Sequence, residues 1–286
     1  MLDDLIRKTI REMVGGGGPP TAFLTPQGDR GLFGPESVAW KVHADFVSMM
    51  IGGISSLILQ ALHPQALAGV WDHSTFREDL KGRLGRTAFF IAATTYGPTE
   101  MADNIIKKVN QIHAKVQGLD EFGKPYSATD PHLLAWVHLT ETHSFIQAFE
   151  DYRPEKLSAQ EKDQYFIEMR SLGERMGAND LPTTYTKTDS AIKNYIPELY
   201  FGERAKSILD LLENFPSKLV TKPFIKLITR AGYLNLPDWV YPFINRPNPN
   251  LIERLAVKKS IDLIAVPIRE ALKDGVAAHS LRRVYG

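Results

Sequence analysis

The sequence predicts an all-α fold made of one helical domain. Apolar residues recur at three- and four-residue steps through most of the chain, and no segment shows sustained apolar/polar alternation closed by an Asn-Gly or Asp-Gly turn. With 286 residues and 43% hydrophobic content, the chain is long enough to bury one large core or two small ones.

Taken in order, the first element is a short amphipathic helix spaced by Leu2, Ile6 and Ile10. Asp3 and Asp4 stand where a secretion signal carries positive charge, so no signal is read and the expected compartment is the cytoplasm. The run at 15–20, Gly-Gly-Gly-Gly-Pro-Pro, cannot hold a helix. Residues 1–20 are therefore expected to be an N-terminal helix and mobile linker, and 21–286 the helical domain. Within it, helices are predicted over 36–50, 54–62, 64–72, 83–95, 98–117, 130–152, 158–176, 189–213, 217–231, 236–244 and 248–273. The clearest is that over 98–117, where Met101, Ile105, Val109, Ile112 and Val116 form one apolar face, Pro98 suits the first turn and Gly118 follows the end. In the next, Asp130 caps, Pro131 takes the first helical position, and Leu134, Val137, Phe145 and Phe149 mark the buried side. Between them, 121–125 has turn composition. The most apolar stretch, 46–62, is interrupted by Gly52, Gly53, Ser55, Ser56 and Gln60, and reads as a buried core helix. No transmembrane segment is expected. Peripheral membrane contact is left open for the N-terminal arm and for 216–244.

Charge and cysteine content exclude several classes of function. Lys and Arg number 34 against 33 Asp and Glu, for a net charge of +1, without the basic block that drives nucleic-acid binding. Cysteine is absent, which removes disulfides, thiolate metal sites, catalytic cysteines and covalent c-type haem, while leaving the compartment undetermined. Neither paired Glu-x-x-His motifs nor His-Glu-x-x-His occurs; His138-x-x-Glu141 has the reversed order and no partner motif. The Gly-x-Ser-x-Gly elbow and the phosphate-cradling glycine motifs are missing as well.

Two local patterns carry chemistry. His113 follows Val109 by four and precedes Val116 by three, which aims its imidazole at the core with those side chains. Such a histidine is either a haem ligand or a core residue satisfied by its neighbours, and spacing alone favours the second. Arg83, Arg86 and Thr87 share one helical turn before the apolar run 88–93. Their countercharge would be haem propionates, a bound anion, or ion pairs with Asp72, Glu78 or Asp79.

The order of several motifs then resembles a known family. Gly34-Pro-x-Ser37, Trp40-Lys-Val-His43, Leu62-His63-Pro64-x-Ala66-x-Ala68-Gly69-Val70 and His73-Ser74-x-Phe76 are similar to the N-terminal signature of the rubber oxygenase/MpaB-type oxygenases. Arg83-x-x-x-Thr87, His113-x-x-Val116-x-Gly118, Tyr126-Ser127-Ala128-x-Asp130-Pro131 and Leu134-Ala135-Trp136-Val137-His138-x-Thr140 continue it in the family's order, with Leu236-Pro237-Asp238-Trp239 further on.

The resemblance implies non-covalent haem b in a globin-like helical core, with His113 as the axial ligand. Arg83 and Thr87 would lie beside the haem, with His138 as a further pocket residue and His63 and Arg86 as weaker candidates. Latex-clearing members carry a lysine beside that threonine; Arg86 stands here, and a guanidinium that stays protonated is a poor iron ligand. Those members also use a distal glutamate base, whereas residues 57–70 contain no carboxylate and His63 is their one titratable group. The expected activity is oxygenation of an apolar, isoprenoid-like substrate by O2 at a carbon-carbon double bond, with the electron donor unspecified. The alternatives are a non-catalytic haem or lipid carrier or sensor, and a helical scaffold without cofactor.

Overall fold

The computed structural model describes residues 20–286 apart from 216 and 220. The expected first helix and the glycine–proline linker before Pro20 lie outside the described residues.

After a 3-10 turn at Pro20–Phe23, thirteen α-helices follow: α1 Val38–His43, α2 Phe46–Ala61, α3 Pro64–His73, α4 Leu80–Tyr96, α5 Thr99–His113, α6 Pro131–Tyr152, α7 Ala159–Arg175, α8 Tyr185–Asn194, α9 Glu203–Glu213, α10 Lys222–Leu234, α11 Val240–Phe243, α12 Leu251–Ala271 and α13 Val276–Tyr285. Two three-residue strands, β1 Gln117–Leu119 and β2 Pro125–Ser127, form an antiparallel hairpin pairing Gly118 with Tyr126. The all-α expectation is borne out.

Helix α2 is the spine. Its start is set by Asp45, whose carboxylate accepts from Ser48 N and pairs with Arg269 and Arg153. The break in the predicted 36–50 helix therefore falls at 44–45, and Gly52–Gly53 lies inside a continuous helix. Val47, Ile51, Ile58 and Leu59 are fully buried. At ~1.5–3 kcal/mol for each such side chain, against about 1 kcal/mol per helical glycine, burial decides for the unbroken helix. The glycine is also used: a Cβ on Gly52 would lie 2.8 Å from both Phe145 Cδ1 and Ser144 O on α6. On α10, a Cβ on Gly232 would lie 2.6 Å from Ile54 Cγ2. Helices α6 and α10 thus approach α2 closely around a core that includes Trp136, Leu139, Ile228 and Ala231.

A second core joins α1, the later half of α6 and α7 through Val42, Phe145, Phe149, Tyr165 and Phe166, with Ile106 from α5. The C-terminal helix α13, which periodicity did not foretell, is tied down by Arg283. Its guanidinium is fully buried and donates to the carbonyls of Asp29, Phe23 and Gly97.

Other boundaries differ for local reasons. The predicted 189–213 helix is split into α8, a 3-10 turn at Ile196–Glu198 and α9, with Pro197 and Gly202 at the breaks. The helix predicted to 117 stops at His113. The 121–125 turn is real: Asp120 Oδ1 accepts from Phe122 N and Lys124 N, and Gly123 has φ +76°. Among the described residues no single helix is long and apolar enough to cross a membrane.

Candidate functional site

Helices α4 and α5 are joined by Gly97 and Pro98 alone and pack on each other as a hairpin. Arg83, thirteen residues before Tyr96, and His113, fifteen after Pro98, are each roughly 20 Å from the turn, so the open end of one hairpin carries both.

Arg83 is half-buried and donates to Ser74 Oγ at 2.8 Å. Burial and the neighbouring Arg86 charge lower its pKa. Two of the three carboxylates that the sequence offered as partners are engaged elsewhere. Asp79 caps α4 through Gly82 N and faces Arg86 at 3.6 Å, and Asp72 accepts from Tyr126 Oη at 2.8 Å with Arg204 at 3.8 Å. No carboxylate lies within ion-pair reach of Arg83 among the described residues. Arg86 and Thr87 are exposed, and Thr87 Oγ1 donates to the Arg83 carbonyl at 3.3 Å. Arg83 borders an apolar pocket walled by Leu57 of α2, Leu67 and Val70 of α3, Val137 of α6 and Ile208 of α9.

His113 is the last residue of α5, and its stripe differs from expectation. The buried residues of α5 are Ala102 and Ile106; Ile105 and Val109 are half-buried and Ile112 is 51% exposed. Val116, beyond the helix end, packs instead with Ala68, Tyr126 and Leu133. The stripe leading to His113 is thus partly open rather than sealed in a core. Nδ1 of His113 is buried without a hydrogen-bond partner, and burial lowers the ring's pKa and favours neutral imidazole.

On α6, His138 and Glu141 sit three residues apart on one face. The His138 ring is bonded to the Met169 backbone and lies against Gly173, where a Cβ would come within 2.9 Å of its Nε2. Burial takes its pKa down to about 4. Glu141 has neither a hydrogen-bond nor an ion-pair partner among the described residues, and burial pushes its carboxyl up to about 7. Both side chains are half-buried. The Glu141 charge is felt by Tyr165, whose hydroxyl is 3.0 Å from His43 Nε2; His43 Nδ1 in turn lies 2.8 Å from Thr95 Oγ1.

His63 is placed differently. It precedes α3, is 1% exposed, and turns its Nε2 to Glu198 at 3.4 Å, beside His132. The structure therefore places Arg83 on the apolar pocket and His138 beside Glu141, and sets His63 in a separate cluster. The sequence set the His138–Glu141 pair aside as a reversed motif, although Leu134, Val137, His138 and Glu141 follow helical spacing on one stripe.

A family model described as the catalytic domain of the ER-bound oxygenases mpaB/B' and rubber oxygenase matches residues 40–254. The chain belongs to this oxygenase family. No curated protein matches it, and no solved structure does.

Proposed function

We propose that this oxygenase-family domain works with non-covalent haem b, held through His113, and uses O2 to oxygenate an apolar, isoprenoid-like substrate. The observation that carries the reading is the His113 imidazole: neutral, with a buried, unpartnered nitrogen, at the end of an apolar stripe left partly uncovered. A metal-ligating histidine must be neutral and must offer a free nitrogen. Bound haem would supply the binding and activation of O2.

The chain's own side chains support the rest. Arg83, a half-buried cation lacking a carboxylate partner, offers its guanidinium to a propionate. Its pocket, walled by Leu57, Leu67, Val70 and Val137, is suited to an apolar chain. His138, kept neutral by burial and bonded to the Met169 backbone, would be the further pocket histidine that the family resemblance implies. Glu141, its carboxyl pushed up to about 7 by burial, is able to give and take a proton near neutral pH. Residues 57–70 hold no carboxylate, and that absence is what favours the second reading, a non-catalytic haem or lipid binder.

The test is the visible spectrum of the purified protein, oxidised and dithionite-reduced, with a pyridine haemochrome assay. Stoichiometric b-type haem is expected, and His113→Ala should abolish the native spectrum. Unchanged haem content and axial ligation in that variant would remove the assignment. Oxygen uptake with an isoprenoid separates oxygenase from binder.

A further inference from the structure

Outside the oxygenase pocket, three side chains from three elements converge. His63 precedes α3, His132 lies in the first turn of α6, and Glu198 ends the 3-10 turn after α8. One donor atom from each lies within 4.8 Å of the other two. His63 Nε2 is 3.4 Å from Glu198 Oε2, and His132 Nε2 is 2.9 and 3.0 Å from the two carboxylate oxygens.

From this juxtaposition we infer that His63, His132 and Glu198 form a second metal site, a three-ligand centre for a divalent ion of the zinc class with one coordination position open to solvent. Around a tetrahedral zinc, donors about 2.0–2.2 Å from the ion stand roughly 3.3–3.5 Å from one another, the spacing found between His63 and Glu198; His132, now at hydrogen-bonding distance from the carboxylate, would back off by a few tenths of an ångström to admit the ion. The same distance is long for an N–H···O hydrogen bond, whose ordinary range ends at about 3.2 Å. Hydrogen bonding alone therefore serves His63 poorly. This imidazole is 1% exposed, its Nδ1 is buried without a partner, and its Nε2 has just the long contact to Glu198. A cation between Nε2 and the carboxylate gives the ring a strong partner where it otherwise has a weak one.

The ligands are also held in advance. The His132 ring stacks on Tyr195 with centroids 4.4 Å apart, and Tyr195 Oη donates to the His132 carbonyl at 3.0 Å. Tyr200 N donates to Leu62 O at 2.7 Å, fixing the segment after Glu198 to the residue before His63. Two imidazoles and a carboxylate suit Zn2+ over Ca2+ or Mg2+, which favour all-oxygen shells. His132 and Glu198 are solvent-exposed, so the ion has an entry path. Once bound, it would clip the start of α3 to the start of α6. The wall residues Leu67 and Val70 lie on the following turns of α3, so zinc would brace the pocket without taking part in oxygen chemistry.

The experiment is equilibrium dialysis of the full chain against Zn2+, with zinc and iron counted separately by mass spectrometry, alongside thermal melting with and without Zn2+. One zinc per chain is expected, independent of haem content, with a higher Tm in its presence. Glu198→Gln and His132→Gln, both at exposed positions, should each weaken zinc binding at least ~100-fold and abolish the Tm shift, since even residues behind a ligand are worth 10–100-fold. Absence of stoichiometric zinc in the wild type overturns the proposal. So does zinc retained equally by both variants.

Discussion

Glu141→Gln tests the interior carboxyl. Burial without a partner sets its pKa at about 7 in the folded protein, against 4.5 for the ordinary carboxyl. Well below pH 4.5 both folded and unfolded chains hold the proton. As pH rises from 4.5 to about 7 the unfolded chain ionises while the folded one does not, so stability falls across that window. The full difference corresponds to ~3 kcal/mol, of which ~2.5 kcal/mol develops between about pH 5 and pH 8. Glutamine keeps the shape and removes the titration. Urea unfolding of the cofactor-free protein at pH 5, 6, 7 and 8 should therefore show the variant gaining on the wild type by that amount as pH rises. A stability difference that stays flat with pH would refute the reasoning. A group that weakens the fold at neutral pH is expected where activity needs it, so the stabilised variant should also lose oxygenase turnover and its pH profile.

The other predictions concern acid, packing and local stability. His43, His138 and His143 have pKa values lowered by burial to about 3, 4 and 4 from 6.5, so the stability they confer is complete above pH 6.5 and lost as pH falls toward 4. Each loss approaches ~3 kcal/mol, comparable to the margin of a whole domain when three act together. His143→Phe, which preserves the stack on Tyr185, should soften acid unfolding by about one such share; identical acid midpoints would oppose this. Gly52→Ala should destabilise by ~3 kcal/mol in thermal melts, because its Cβ meets backbone and ring of α6; an unchanged Tm would mean that α2 and α6 part easily. In hydrogen exchange, α4 and α5 should exchange faster than α2 in cofactor-free protein and slow on haem addition, and no change on loading would count against the pocket.

Elements with explicit end signals were legible in the sequence. Asp130-Pro131 set the start of α6, and Ser158 with Glu161, which the structure joins in a capping box, set that of α7. Signals inside apolar runs were not. Asp45 restarts a helix where composition reads as continuous, and α2 tolerates the paired glycines that composition reads as a break. The hairpin was missed because three-residue strands show no period. For the site, motif order pointed to His113 and Arg83, yet only packing reveals that the His113 Nδ1 is unpartnered and that the Arg83 guanidinium has Ser74 but no carboxylate beside it among the described residues. The His63–Glu198 pairing, 135 residues apart in sequence, has no local signature at all.

The two sides of the molecule follow from this distribution of packing. Around α2, glycines bring α6 and α10 into close approach and fully buried aliphatics fill the space between. Across the α4–α5 hairpin, by contrast, Leu84, Ala88, Ile91, Ile105 and Val109 are only half-buried, an expensive arrangement for apolar side chains unless something else covers them. Helix α6 bridges the two regions. Trp136 and Leu139 belong to the core, while His138 and Glu141 on the same helix are half-buried. Under the haem reading, a cofactor held by His113 would add apolar cover to the hairpin.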